Sequence, residues 1–185
     1  RIFENMARAC AKTGQDLSAD DPLKKQLERM ADLGGQEHWL IPCDEIKLDR
    51  SRILGNGTYG IVYVADYHGA DVAVKVPRIT KNRSSMGALP SFANELRILR
   101  RVRHPNIVPF FGAVIEPEFQ LLALVSELTV GETVEQFVRS GRASNRDGWT
   151  VLLGVCKALR MLHAQDPEIV HGDLKGSNIL IESRS

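Results

Sequence analysis

The chain has little of what would assign a protein quickly. Its three cysteines, Cys10, Cys43 and Cys156, lie far apart and fit no metal-ligand spacing. They read as reduced thiols, which argues for the cytoplasm, or the nucleus, over a disulfide-stapled secreted domain. No apolar run approaches the roughly 20 residues of a membrane span, and the N-terminus has no signal-peptide pattern. Neither sign of charge prevails: 24 Lys and Arg against 23 Asp and Glu leave a net charge of +1, so no nucleic-acid partner is expected. Internal repeats and low-complexity tracts are absent. So is an initiating methionine, since the chain begins at Arg1, which suggests a piece of something longer.

What is present is the composition of a globular domain, 43% hydrophobic and 25% charged over 185 residues. That length suits one domain plus an extension, or two small lobes. Residues 1–45 form the expected helical extension. Pro22 follows Asp20 and Asp21, Leu23, Leu27 and Met30 recur at helical spacing, and Gly34-Gly35 reads as the stop. The expected role is a flank packed on the next domain, with a partner-binding helix as the alternative.

From Ile46 the period becomes strand-like. Ile46 to Leu48, Ile61 to Ala65 and Val72 to Val76 form an antiparallel meander with a turn at His68-Gly69. A polar loop from Arg78 to Leu89 leads to Pro90 and a helix with Phe92, Glu95, Leu96, Leu99 and Val102 on one face. Arg97, Arg100, Arg101 and Arg103 fall on the other face, which is expected to be solvated. Two more strands are expected at Ile107–Ile115 and Leu121–Leu128. Thr133 with Gln136 resembles a capping box. After a polar loop from Gly141 to Gly148, Trp149, Leu152, Cys156, Leu159 and Leu162 mark a long amphipathic helix that ends before Pro167.

Three places carry chemistry. Gly55-Asn56-Gly57-Thr58-Tyr59-Gly60 is a GxGxxG sequence, weak evidence alone because glycines are common in hairpins. In a dinucleotide fold the motif opens a helix. Here the strand Ile61 to Ala65 follows, which rejects a Rossmann-type oxidoreductase and makes the loop a hairpin lid whose bare backbone can approach phosphates. Lys75 alone would be a snorkelling lysine at a strand edge. Glu95, within an apolar helix face, needs a cation, and Lys75 is the economical partner, able then to hold phosphate oxygens. In HGDLKGSNILI, Asp173 and Asn178 could simply shape a turn. Together with Lys175, however, they supply a proton acceptor, a cation and an oxygen ligand for magnesium, which phosphoryl transfer requires. His104 is expected to fix the loop before Pro105, and His171 to be a packed member of its loop.

The ordered motifs GNGTYGIV, VAVK, Glu95, HPNIV, VSEL and HGDLKGSN, running from about Ile46 to Ile181, resemble a eukaryotic protein kinase domain. WLIPCDEIKL and HPNIVPFFG look like the tyrosine-kinase-like branch, and HGDLKGSNILI has a fungal flavour. The resemblance implies an α+β, protein-kinase-like bilobal fold. A five-stranded antiparallel small lobe with one helix would span 46–128, and the first helices and catalytic loop of the helical large lobe would span 129–185. It implies Mg2+ and ATP as cofactors and serine or threonine hydroxyls of proteins as acceptors. By resemblance, Gly55 to Val62 covers ATP, Lys75 holds the α and β phosphates and pairs with Glu95, and Asp173 accepts the hydroxyl proton. Lys175 stabilises charge on the γ-phosphate, and Asn178 binds magnesium. Glu127 and Thr129 present hinge backbone to adenine, Val62, Ala73 and Leu180 sandwich the ring, and Ser126 is a small gatekeeper.

Two departures shape the expectations. Gly172 stands where most kinases carry arginine, so the contact of that arginine with a phosphorylated activation loop is not expected. The sequence also ends at Ser185, before an Asp-Phe-Gly motif, an activation loop and the later helices. The expectation is therefore a chain inactive by truncation, with the apolar face of the Trp149–Leu162 helix partly exposed and prone to aggregate. The alternative is a non-catalytic, pseudokinase-like module that binds nucleotide or a partner.

Overall fold

The computed structural model describes residues 22–57, 60–77, 88–119 and 121–182. They fall into two compact units: the described residues up to Arg100 together with Phe110–Leu128, and Arg101–Pro109 together with the described residues from Thr129 onward. Among the described residues no helix is long and apolar enough to cross a membrane.

The first unit is built on β1 (Ile46–Gly57), β2 (Gly60–Tyr67), β3 (Ala70–Pro77), β4 (Phe110–Glu116) and β5 (Leu121–Glu127). All pairings are antiparallel, in the order β1-β2-β3-β5-β4, as the five-stranded expectation has it. The β2–β3 hairpin closes on His68 and Gly69, with φ of 52° and 86°. Two consecutive positive φ values match the right-handed twist of the strands, which is why a short turn suffices there.

Alternation along β5 explains why it lies inside the sheet. Leu121, Ala123 and Val125 join Ile46, Leu48, Val72, Val74 and Val114 in one apolar cluster. Leu122 and Leu124 join Phe110, Ala113 and Ile115 in the other. That second cluster is covered by two helices, α1 (Pro22–Gln36) through Leu27 and α2 (Ala88–Leu99) through Phe92 and Leu96. Each such fully buried aliphatic side chain contributes about 1.5–3 kcal/mol.

The first unit corrects several expectations. Helix α1 runs through Gly34-Gly35 and ends at Gln36. Gly34 serves a close approach, because a Cβ there would lie 2.8 Å from the Trp39 ring. The chain reverses instead at His38, with φ of 59°, and both Trp39 N–H and Leu40 N–H donate to the Gly34 carbonyl at 3.0 and 3.1 Å. Helix α2 stops at Leu99, so only Arg97 of the four arginines is helical. Arg100 forms an ion pair with Glu37 and is not simply solvated.

The second unit holds the buried Val102, beyond the end of α2. Residues 107–109 are not strand: Ile107 N–H donates to the His104 carbonyl at 3.0 Å and Asn106 N–H to the His104 ring at 3.1 Å, so His104 fixes the loop as expected. β6 (Gly131–Thr133) pairs antiparallel with β7 (Leu180–Glu182). Between them come α3 (Val134–Arg139) and α4 (Asn145–His163). Thr133 and Gln136 form the expected capping box. A second box, Ser144 with Asp147, starts α4 inside what the sequence suggested was loop. The apolar face of α4 is partly exposed as expected, with Trp149 at 74% and Leu152 and Leu153 open to solvent while Leu162 is buried.

Candidate functional site

In the first unit the strand register gathers the expected residues. Gly55 pairs with Val62, Val62 with Lys75, and Lys75 with Leu124, while Ala73 pairs with Ser126 and Val72 with Glu127. Directly paired residues point to the same face of a sheet. Val62, Ala73, Lys75 and Ser126 therefore share the face that carries Leu122 and Leu124, against which α2 packs. Val72 and Val74 alternate to the opposite, fully buried side.

Lys75 Nζ lies 2.6 Å from Glu95 Oε1, the pair the sequence suggested. Glu95 sits at the margin of the apolar face of α2, next to the buried Phe92 and Leu96, with its side chain 41% exposed and that of Lys75 34%. Half-burial keeps the desolvation penalty small, while a separation of 2.6 Å makes a charge-assisted hydrogen bond.

The glycines of the hairpin do different work. A Cβ at Gly60 would lie 2.3 Å from the Val76 carbonyl oxygen, so packing against β3 accounts for that glycine. At Gly55 and Gly57 a Cβ would meet nothing within 4 Å. Internal packing gives no reason for them, and the open backbone is available to a ligand. Asn56 pairs with Ile61 across the hairpin. Thr58 and Tyr59 lie outside the described residues.

In the second unit Asp173, Lys175 and Asn178 converge. Lys175 Nζ is 2.9 Å from Asp173 Oδ2. Asn178 Nδ2 donates to the same oxygen at 2.9 Å and to the Asp173 main-chain carbonyl at 2.8 Å. Asp173 N–H donates to His171 Nδ1 at 3.3 Å, so His171 helps hold the loop, although it is exposed and not packed as expected. The loop closes through Asn178 N–H donating to the Lys175 carbonyl at 2.9 Å. It is tied to α3 by Val134 N–H donating to the Ile179 carbonyl at 2.9 Å.

These bonds have an electrostatic consequence. The Lys175 ammonium, and after it the Asn178 amide, hold the Asp173 carboxyl below the usual aspartate value, so it is ionised at neutral pH. Both of these side-chain bonds go to Oδ2 and neither to Oδ1. Because Asn178 donates through Nδ2, its Oδ1 is the group left for a cation. Among the described residues no cluster of three His, Cys, Asp or Glu could hold a metal alone. The donor set nonetheless fits magnesium, which binds through few protein oxygens when phosphates supply others.

Thr129 is half-buried, and Leu180 is exposed in β7 opposite Thr133. Sequence reasoning missed β6, too short to show a period, and Glu37, which carried no motif.

The protein kinase domain model matches residues 48–185. Serine/threonine-protein kinase CTR1 of Arabidopsis thaliana is 33% identical over 167 residues, covering 88% of this chain and 20% of that protein. Dual specificity protein kinase shkE of Dictyostelium discoideum is 36% identical over 145 residues, covering 76% of this chain and 20% of that protein. Serine/threonine-protein kinase A-Raf of Homo sapiens is 30% identical over 167 residues, covering 88% and 25%. The chain thus spans a quarter or less of the length of these relatives. With the matched region taking in the glycine hairpin, the Lys75–Glu95 pair and the Asp173 loop, the chain belongs to the protein kinase family.

Proposed function

We propose that the chain is the nucleotide-binding and catalytic-loop part of an ATP-dependent kinase that phosphorylates serine and threonine hydroxyls of proteins. Residues 46–128 and 129–185 would serve as its two lobes, with 1–45 as an extension. The observation that carries this reading is the Asp173 carboxylate, ionised and oriented by Lys175 and Asn178. A phosphoryl acceptor hydroxyl needs such a base within hydrogen-bond reach, and the transferring phosphate needs a cation close by.

Lys75, kept in place by Glu95, holds phosphate oxygens as a positioned charge. Gly55 and Gly57 let the backbone approach those phosphates. In the first unit Val62 and Ala73 offer apolar surface to adenine and Glu127 offers backbone, with Ser126 on the same sheet face as Ala73. Magnesium, when bound at Asn178, neutralises charge on the phosphates. Asp173 takes the hydroxyl proton on Oδ1, and Lys175 places a cation beside it. The lysine two positions after Asp173 is similar to serine/threonine kinases, and two of the relatives above carry that description.

The test is incubation with Mg and γ-labelled ATP and a generic basic protein, followed by phosphoamino-acid analysis, with Asp173→Asn alongside. Whatever label is transferred should stand on serine and threonine and disappear in the variant. Label on tyrosine would contradict the acceptor class, and label undiminished in Asp173→Asn would contradict the role of Asp173. Nucleotide binding with no transfer even at long times would favour the non-catalytic module.

A further inference from the structure

Glu37 takes no part in the site described above, yet its carboxylate stands at a crossing point of the first unit. Trp39 Nε1 donates to Glu37 Oε2 at 2.8 Å, and Arg100 forms an ion pair with that same oxygen. The Arg100 side chain is 20% exposed and that of Glu37 36%, so the pair is partly withdrawn from water, unlike an exposed pair of negligible worth. Trp39 is buried in the cluster that includes Leu27, Phe92 and Leu96.

The far side of this junction is the helix that carries Glu95. Arg100 N–H donates to the Leu96 carbonyl at 3.1 Å and so continues the helical bonding of α2 one residue past Leu99. Four residues after Leu96, Arg100 lies above it on the same helix face. Glu95 is five residues earlier, about 7.5 Å along the axis at 1.5 Å per residue, a distance over which a hydrogen-bonded helix moves as one piece. Whatever fixes Arg100 therefore constrains Glu95. A natural control lies at the other end of α1, where Lys24 pairs with Glu118 at 2.7 Å, a residue of the turn after β4 and not of α2.

We propose that Glu37 is a positioning residue: by clasping Arg100 to the Trp39 corner it anchors the C-terminal end of α2 and thereby holds Glu95 against Lys75. Its consequence for nucleotide binding rests on the use of the Lys75–Glu95 pair proposed above. Its geometric claim does not.

Two measurements on the whole chain separate them. The first, without nucleotide, is the rate at which acetic anhydride labels Lys75, read by mass spectrometry, since an amine engaged in a 2.6 Å hydrogen bond to a carboxylate is shielded from the reagent and reacts slowly. Glu37→Gln should raise that rate about threefold or more, the size of a modest coupling between sites. Lys24→Ala, which cuts the other tie of α1, should leave it unchanged even where it lowers the melting temperature as much. The double variant Glu37→Arg with Arg100→Glu should restore the slow rate.

Unchanged labelling in Glu37→Gln, or an equal rise in Lys24→Ala, would overturn the proposal. The second measurement is Mg-ATP affinity, expected to fall about fivefold in Glu37→Gln and to recover in the double variant. Faster labelling with unaltered affinity would leave the clasp standing and count against the proposed nucleotide role of the ion pair.

Discussion

Asp173 is the residue on which the proposed chemistry turns, and its state is set by its neighbours. The bonds from Lys175 and Asn178 stabilise the carboxylate over the acid, so its midpoint lies below the usual 3.8. For a depressed carboxyl, the associated stability is fully present above the unfolded value and is lost as pH falls through the lower folded value. Carbon-13 NMR of the side-chain carboxyl should therefore give a midpoint below 3.8, and Lys175→Ala should move it upward. A midpoint at or above 3.8 in the wild type would contradict the ion pair. Gly172, next in the chain, has φ of +76°, a conformation L side chains resist. Gly172→Ala is expected to cost about 1 kcal/mol in denaturant unfolding. The identities of Asp173, Lys175 and Asn178 were legible in the sequence. Their sharing of one carboxylate oxygen was not, because it depends on how residues 175–178 turn.

Among the elements, the strands were the most legible, because β-branched runs with alternating burial follow directly from the period of the sequence. Helix ends were less so. Gly34 looked like a stop, but its missing side chain makes room for Trp39, a long-range contact invisible to local propensity. The start of α4 was hidden because Ser144 and Asp147 sit in a polar stretch that reads as loop until their reciprocal bonds are seen. Likewise, the arginine face expected on α2 dissolved once the helix ended at Leu99. That α1 belongs to the core of the first unit can be tested through Leu27, which is 1% exposed among Phe92, Leu96 and Trp39. Leu27→Ala should destabilise the protein by about 2–5 kcal/mol. A loss below about 0.5 kcal/mol, the range of surface substitutions, would mean α1 is only laid on the sheet.

At the scale of the whole molecule, the first unit buries an apolar cluster on each face of its sheet, whereas α4 in the second presents Trp149, Leu152 and Leu153 to water. An apolar face of that kind favours self-association. Trp149→Ser combined with Leu152→Gln should narrow the size distribution in light scattering without loss of helical circular dichroism; a broader distribution would contradict the exposure. The functional account depends on Lys75 being held by Glu95 to receive phosphate. Its most direct test is calorimetric titration of the chain with Mg-ATP beside Lys75→Met. The expected result is saturable binding by the wild type, weakened at least about tenfold in the variant, as befits loss of a charge-assisted contact of roughly 1.4 kcal/mol or more. Equal binding by the two proteins, or none by either, would contradict it.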